Sequence, residues 1–417
     1  MRVFGVKRYG VCRWLGVLVS VVLVLGVWVP AYGAEISDTE LYAKAACLMD
    51  GDTGRVLYGK QFDVGMAMAS TTKIMTCILA LEEGDLGGVV TASDKAAAAP
   101  KVHLGVRQGQ SFLLEDLLYA LMLESFNDAA VMIAEGVGGS VEEFAVRMNA
   151  KAVEIGCKDT HFVTPNGLDA TDVGGAHHTT AQDLALIMRY CITISPKKEE
   201  FLRITQTASY SFWDRENQVF FNCNNHNSFL SMMDGALSGK TGFTSKAGYC
   251  YVGALEKDGK LFIVSLLACG WPNNKSYKWA DTRKLMTYGL ENYEYRDIYQ
   301  EGLLDEPVVV ENGQYDGKLG DDESIDMLTY EDGKEVKQRR QMLLKEGETV
   351  EVKTDLPDKL KAPVKAGTQI GSVTYLLNGN EILEYPVYLE KSVKKIDLSW
   401  CMERVFRLYC NKYEKNG

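Results

Sequence analysis

Ser70 and Lys73 stand three residues apart in ASTTKIMT (69–76). The apolar residues Ile74, Cys77, Ile78 and Leu81 follow at helical spacing, and Gly84 supplies a stop. Positions i and i+3 share a helix face, so a hydroxyl and an amine meet at the start of a buried helix. The helix start favours negative charge. A serine hydroxyl is a useful nucleophile once a base takes its proton. Lysine is that base only when neutral, and burial or a second cation moves its pKa in that direction. The same residues are also those of an ordinary capped helix with a surface lysine. The pair alone leaves both readings open.

Two more stretches narrow the choice. LESFNDAA (123–130) places Ser125 and Asn127 between the apolar segment Leu113–Leu123 and a second helix that Asn127 or Asp128 is able to cap. GKTGFTSKAGY (239–249) places Lys240, Thr241 and Gly242 at the start of a strand region. Taken singly, one is a loop between helices and the other a polar turn. S-x-x-K, S-D-N and K-T-G together are the known signature of class A β-lactamases and penicillin-binding proteins. S-x-x-K and K-T-G occur here at a helix start and a strand, and between them Ser125-Phe126-Asn127 stands in an inter-helix loop in place of S-D-N.

On these motifs the chain resembles the serine D-alanyl-D-alanine carboxypeptidases, the low-molecular-weight penicillin-binding proteins of bacteria. The likeness runs from about residue 43 to 393 and includes residues 144–169, HHTTAQDLA (177–185) and LKAPVKAGTQIGSV (360–373). It implies that Ser70 attacks the carbonyl of a penultimate D-alanine and that Lys73 accepts its proton. Ser125 would relay a proton to the leaving amine, and Asn127 would bond the substrate amide. Lys240 would face the terminal carboxylate and help keep Lys73 neutral, with Thr241 and Gly242 beside it. The N–H groups of Ser70 and Phe243 would form the oxyanion hole, where losing one donor costs roughly 100- to 1,000-fold in rate. The partners it implies are a peptidoglycan stem peptide ending in D-Ala-D-Ala and β-lactam antibiotics. It implies no metal or other cofactor, and none of the five histidines forms an HExxH-type pair. His177 and His178, being adjacent, point apart on any regular element and read as structural.

The chain departs from the family pattern at three places. Phe126 stands where a small residue is usual, Met68 where proline is common, and Phe243 where His or Tyr is common. Phe126 raises the expectation of a narrowed cleft, and with it the alternative of an inactive wall-binding scaffold. A β-lactamase is the second alternative, but no E-x-x-L-N stretch lies between Ser125 and Lys240. A phosphate loop fails because Asp234 stands where DGALSGKT needs glycine, and no G-x-S-x-G esterase motif occurs.

The elements that must carry these groups follow from period and punctuation. Ala45–Lys60 reads as a hairpin about Asp50-Gly51-Asp52-Thr53-Gly54. Gly248–Glu256 and Leu261–Ala268 form another across Lys257–Lys260. Helical patterns fill Ser70 to about Tyr190, including a helix opened by a Ser140/Glu143 capping box. Strands at both ends and helices between them predict an α+β fold, one antiparallel sheet with a helical cluster of the β-lactamase/transpeptidase-like kind. This catalytic domain is expected over 34–297. A small all-β domain is expected over 298–393, with Asn378-Gly379 as a hairpin turn.

The ends read differently. Arg2, Lys7, Arg8 and Arg13 precede the apolar run Leu15–Val29, and small residues flank a cut after Gly33, so 1–33 reads as a secretory signal peptide. A retained anchor is the alternative, though the run is short for a span. Its loss removes four positive charges and takes the net charge from −11 to −15. That charge argues against nucleic acid as a partner. Nine of the ten cysteines remain, with no C-x-x-C pair, and most sit among apolar residues as core. Residues 394–417 form an amphipathic helix, with Leu398, Cys401, Met402, Val405, Leu408 and Tyr409 on one face. It suits a membrane surface, or docking on the protein itself. The expected location is the outer face of the bacterial cytoplasmic membrane, peripherally held.

Overall fold

The computed structural model describes residues 35–414 apart from Asn217, 299–302, Asp305, 316–322, Asp326, 332–333 and 336–340. The expected signal peptide lies outside the described residues. Strands β1 (Ala45–Asp50) and β2 (Val56–Lys60) open a five-stranded antiparallel sheet. Strands β5 (Ala236–Thr244), β6 (Gly248–Lys257) and β7 (Lys260–Leu267) complete it in the order β2-β1-β7-β6-β5, where β3 (Ser209–Trp213) and β4 (Phe220–Asn224) form a separate hairpin. The β6–β7 turn is Asp258-Gly259, both with positive φ, as a two-residue hairpin requires.

Every residue of β1 is buried, which explains the run Ala45-Ala46-Cys47-Leu48-Met49 without alternation. The sheet is covered on both faces. Ser265 of β7 donates to the Ala181 carbonyl at the start of helix Ala181–Arg189. Phe262 of the same strand packs on Gly289 of helix Tyr277–Asn292. Residues 262 and 265 differ in parity, so the two helices lie on opposite faces.

The helical insert joins the two halves of the sheet. Helix α1 (Lys73–Glu83) is buried from Lys73 to Leu81 and stops at Gly84. Leu114–Tyr119 continues through a π-helical turn, Ala120–Glu124, to Ser125. Helix α2 (Asn127–Gly138) follows at once, and α3 (Val141–Ile155) begins after Ser140, whose hydroxyl accepts from the Glu143 amide. Neither Asn127 nor Asp128 caps α2, because Phe126 occupies the cap position without a side-chain bond. Asp128 instead accepts the amides of Leu104, Gly105 and Val106, at 2.7–3.2 Å, and anchors the neighbouring loop.

The β3–β4 hairpin lies between the helical patterns, which end near Tyr190, and the later strand region, in a stretch to which sequence period assigns no element. Its strands are five residues each, too short for the alternation to stand out. The nine cysteines from Cys47 to Cys410 are all free thiols, and Cys47, Cys77, Cys191, Cys223, Cys250 and Cys269 are buried.

Beyond the sheet, Tyr293–Asp297 pairs antiparallel with Gln341–Lys345. Val350–Asp355, Gln369–Leu377 and Asn380–Leu389 are successive antiparallel neighbours around a core that includes Val373, Tyr375, Tyr385 and Val387. Asn378-Gly379 forms the tight turn between the last two, again with positive φ at both residues. Helix α4 (Leu398–Glu414) ends the described chain. It rests on Tyr315 through Trp400, with ring centroids 5.5 Å apart, and through the Arg404 guanidinium.

Candidate active site

The turn that carries Ser70 is a short 3-10 helix, Ala69–Thr72, that runs into α1. Ser70 is therefore inside a tight turn and not a capping residue. Ala69 has φ +49 and Ser125 has φ +67, unusual for residues with a Cβ. Backbone held in this region costs on the order of 1–3 kcal/mol and persists where the surroundings enforce it. Both outliers adjoin or carry a serine hydroxyl of the cleft.

Lys73 is fully buried beneath that turn. Its Nζ lies 2.9 Å from Ser70 Oγ, 2.9 Å from Asn127 Oδ1 and 2.7 Å from the Asn166 carbonyl oxygen. Burial, then the charge of Lys240, push its pKa well below the ordinary lysine value, with Asp128 opposing them. A neutral amine has two N–H bonds and one lone pair. Asn127 Oδ1 and the Asn166 carbonyl are acceptors only, so they take both N–H groups. The lone pair is then left facing the Ser70 hydroxyl.

Lys240 lies on the edge strand β5, buried, and donates to Ser125 Oγ at 2.9 Å and to the Thr241 carbonyl at 3.0 Å. Burial brings its pKa down to about 7. Ser125 is thus held by Lys240, on the far side from α1. Asn127 also donates from Nδ2 to the Pro100 carbonyl at 3.0 Å, which leaves one amide N–H over. Gly242 meets the Ser70 turn directly. A Cβ there would stand 2.9 Å from the Ser70 nitrogen and 3.0 Å from the Met68 oxygen. Neither is a flexible side-chain end, so only glycine lets β5 approach this closely.

Ser70, Ser125, Asn127, Thr241, Gly242 and Phe243 line one cleft of about 540 Å³. Lys73 and Lys240 reach it through Ser70 and Ser125. Phe126 is not among the lining residues; its ring packs against the main hydrophobic core. The expectation that it narrows the cleft is therefore corrected: the backbone between Ser125 and Asn127 turns the intervening side chain inward. Phe243 stands at the cleft, its ring 4.7 Å from that of Tyr249. Among the described residues the lining includes no aspartate or glutamate. Nor do the described residues hold any group of three or more His, Cys, Asp or Glu placed for a metal ion.

The D-alanyl-D-alanine carboxypeptidase family model matches residues 33–268, more than half of the chain. This chain belongs to that family. A second model, the C-terminal domain of penicillin-binding protein 5, matches residues 307–395. The D-alanyl-D-alanine carboxypeptidase DacF of Bacillus subtilis is 30% identical over 87% of this chain and 89% of its own. The carboxypeptidase DacD of Francisella tularensis has a similar structure, with 25% identity, a TM-score of 0.62 and coverage of 87% and 97%. Penicillin-binding protein 5 of Haemophilus influenzae shares the fold, with a TM-score of 0.69, 24% identity and coverage of 87% and 100%. The α+β transpeptidase-like fold with its all-β C-terminal domain is thus that of the carboxypeptidase family.

Several residues of the site are not legible from motifs. Asn166 acts through its main-chain carbonyl, so its side-chain type says nothing of it. Lys278 lines the cleft with its Nζ 4.9 Å from the Tyr249 ring centroid and 4.7 Å from that of Trp279. In sequence it is one lysine on a helix, and burial alone distinguishes it. His177 is buried and its Nε2 lies 2.8 Å from Thr72 Oγ1. Thr72 Oγ1 gives its one proton to the Ala69 carbonyl, so His177 donates to it. Its Nδ1 accepts from the Val163 amide, which fixes the tautomer. His178 faces outward, onto Asp159.

Proposed function

We propose that the chain is an exported enzyme that removes the terminal D-alanine from peptidoglycan stem peptides through an acyl-enzyme on Ser70. The observation that carries this reading is the fully buried Lys73 amine, 2.9 Å from the Ser70 hydroxyl and held from behind by Asn127 Oδ1 and the Asn166 carbonyl. Lys73 takes the serine proton as Oγ attacks the penultimate carbonyl. The N–H groups of Ser70 and Phe243 receive the developing oxyanion. Ser125, held by the Lys240 ammonium, relays the proton taken up by Lys73 to the departing D-alanine amine, which leaves Lys73 neutral again. Asn127 offers its remaining N–H to the substrate amide. The terminal carboxylate meets Lys240 with Thr241 and Gly242 on one wall and Lys278 on the other. Water then releases the shortened peptide.

A penicillin enters the same chemistry and acylates Ser70. No carboxylate among the described lining residues is available to activate water against that ester, so the adduct is expected to be long-lived. This favours a carboxypeptidase over a β-lactamase. Helix α4 would hold the mature protein to the outer face of the cytoplasmic membrane. Its Leu398, Met402, Val405, Phe406 and Tyr409 side chains are exposed.

Labelling with a fluorescent penicillin, followed by mass mapping, tests the reading. A stable adduct on Ser70, lost in Ser70→Ala, together with D-alanine release from a peptide ending in D-Ala-D-Ala, is the expected result. Rapid penicillin turnover would identify a β-lactamase. A folded protein that takes no label would identify an inactive scaffold.

A further inference from the structure

The β3–β4 hairpin turns two different faces outward and inward. Inward, Phe212 and Phe221 pack around Phe112, and Tyr210 stacks on Tyr119 with ring centroids 3.7 Å apart. The connection is pinned as well: Asp214 accepts the amides of Gln218 and Val219, and Arg215 N donates to the Ser111 carbonyl. Outward, the cross-strand pairs are Ser209 with Asn224, Ser211 with Asn222, and Trp213 with Phe220. The two aromatic rings lie 5.1 Å apart and are 50% and 53% exposed. Large aromatics held this far into solvent on a rigid support are characteristic of a contact surface.

That surface is continuous with the cleft. Phe220, Asn222, Asn224, His226 and Ser228 are exposed in strict alternation, while Phe221, Cys223, Asn225 and Asn227 turn inward. His226 and Ser228 line the cleft. The joint is fixed by Glu124, the residue before Ser125. Its carboxylate accepts the Asn224 amide at 2.7 Å and meets His226 Nε2 at 2.7 Å. At about 3.3 Å per residue, the strip from Asn224 to Phe220 adds roughly 13 Å to the cleft.

We infer that this strip binds the neutral saccharide strand from which the stem peptide hangs, an inference that rests on the peptidoglycan reading above. The exposed strand positions carry no charge. They offer two ring faces for the C–H face of a sugar, and the hydroxyls and amides of Ser209, Ser211, Asn222 and Asn224 for its hydroxyl and acetamido groups. A membrane surface would call for several cations beside the aromatics, and a phosphate backbone for a basic stripe; the paired strands present none, and exposed Arg215 in the connection is followed at once by exposed Glu216. The peptide end of the substrate lies at Ser70, so the sugar end of a bound strand must leave the cleft along one of its walls. This wall is the one that continues as aromatic and amide groups.

Two measurements on the mature chain test the strip. The first is tryptophan fluorescence during titration with a β-1,4-linked N-acetylglucosamine hexamer. A saturable change is expected that Trp213→Ala abolishes and Trp213→Tyr, which keeps an aromatic face, reports through retained binding by calorimetry. The second compares D-alanine release from a free pentapeptide with release from the same peptide on soluble glycan chains. Trp213→Ala and Phe220→Ala should each raise KM for the glycan-borne substrate by about fivefold, leaving kcat and the free-peptide KM unchanged. No change in fluorescence, an equal change in Trp213→Ala, or an equal rise in KM for both substrates overturns the inference. So does a wild-type dimer that Phe220→Ala splits, since the face would then be a contact between copies. If the wild type releases D-alanine from neither substrate, the carboxypeptidase reading fails, while the hexamer titration still decides the strip.

Discussion

In the proposed mechanism Lys240 and Lys73 are two buried amines with opposite duties. Lys73 must be neutral to accept the Ser70 proton, and burial together with the Lys240 charge favours that state. Lys240 must be charged to hold Ser125 as an acceptor and to attract a carboxylate, yet burial alone lowers it to about 7. The sign of the pH dependence follows. Activity rises with pH as Lys73 loses its proton, and falls as pH climbs through the Lys240 value. The kcat/KM profile reports the free enzyme, so its alkaline limb should lie near 7. A bound carboxylate stabilises the ammonium form, so the limb of kcat should lie at higher pH. Lys240→Arg keeps its charge throughout this range and should flatten the alkaline limb of kcat/KM. An alkaline limb unchanged in Lys240→Arg would show that another group sets it.

At the scale of elements, the buried shaft α1 and both hairpins of the sheet are legible from period and turn residues alone. Ile74, Cys77, Ile78 and Leu81 mark the one, and Asp258-Gly259 the other. What period does not carry is the way elements lean on each other. The π-helical turn at Ala120–Glu124, the positive φ of Ser125 and the fit of Gly242 against Ser70 depend on contacts between segments far apart in sequence. The loop carrying Asn166 is the clearest case. Its carbonyl serves Lys73, and Gly167 packs against the Ala69 carbonyl. His177 ties this loop to the Ser70 turn through Thr72. Burial pushes the His177 pKa down to about 3, so it folds neutral. The unfolded chain, with a histidine near 6.5, binds the extra proton between those values. Stability from this group is therefore present above about 6.5 and is lost as pH falls, by up to about 1.4 kcal/mol per unit. Chemical denaturation of wild type and His177→Gln between pH 4.5 and 7 should show the difference in stability narrowing by that slope. A constant difference would mean that His177 does not take up a proton on unfolding.

Across the whole molecule, the charge distribution and the two ends of the chain act together. A chain of net charge −11 gathers Lys101, Lys275 and Lys278 around one cleft, with Lys240 beneath it. Acidic surroundings make that cleft the local minimum for an anionic peptide terminus, which steers encounter. The all-β domain is joined firmly to the catalytic one. Arg55 pairs with Glu348 and donates to the Leu343 carbonyl at 2.7 Å, and Tyr293–Asp297 pairs with Gln341–Lys345. Helix α4 follows that domain and lies on it by the Trp400 and Arg404 side. Its opposite side presents Leu398, Met402, Val405 and Phe406 to solvent. No described helix is long and apolar enough to cross a membrane, so attachment through α4 would be interfacial. A chain begun at residue 34 should pellet with vesicles containing anionic lipid and should do so less at high salt. Deleting 397–417 should leave it in the supernatant with its peptide hydrolysis intact. Met402→Asp and Phe406→Asp should each weaken vesicle binding roughly tenfold, since each removes a large apolar group from the lipid boundary. Full binding by the truncated chain would place the attachment elsewhere in the molecule.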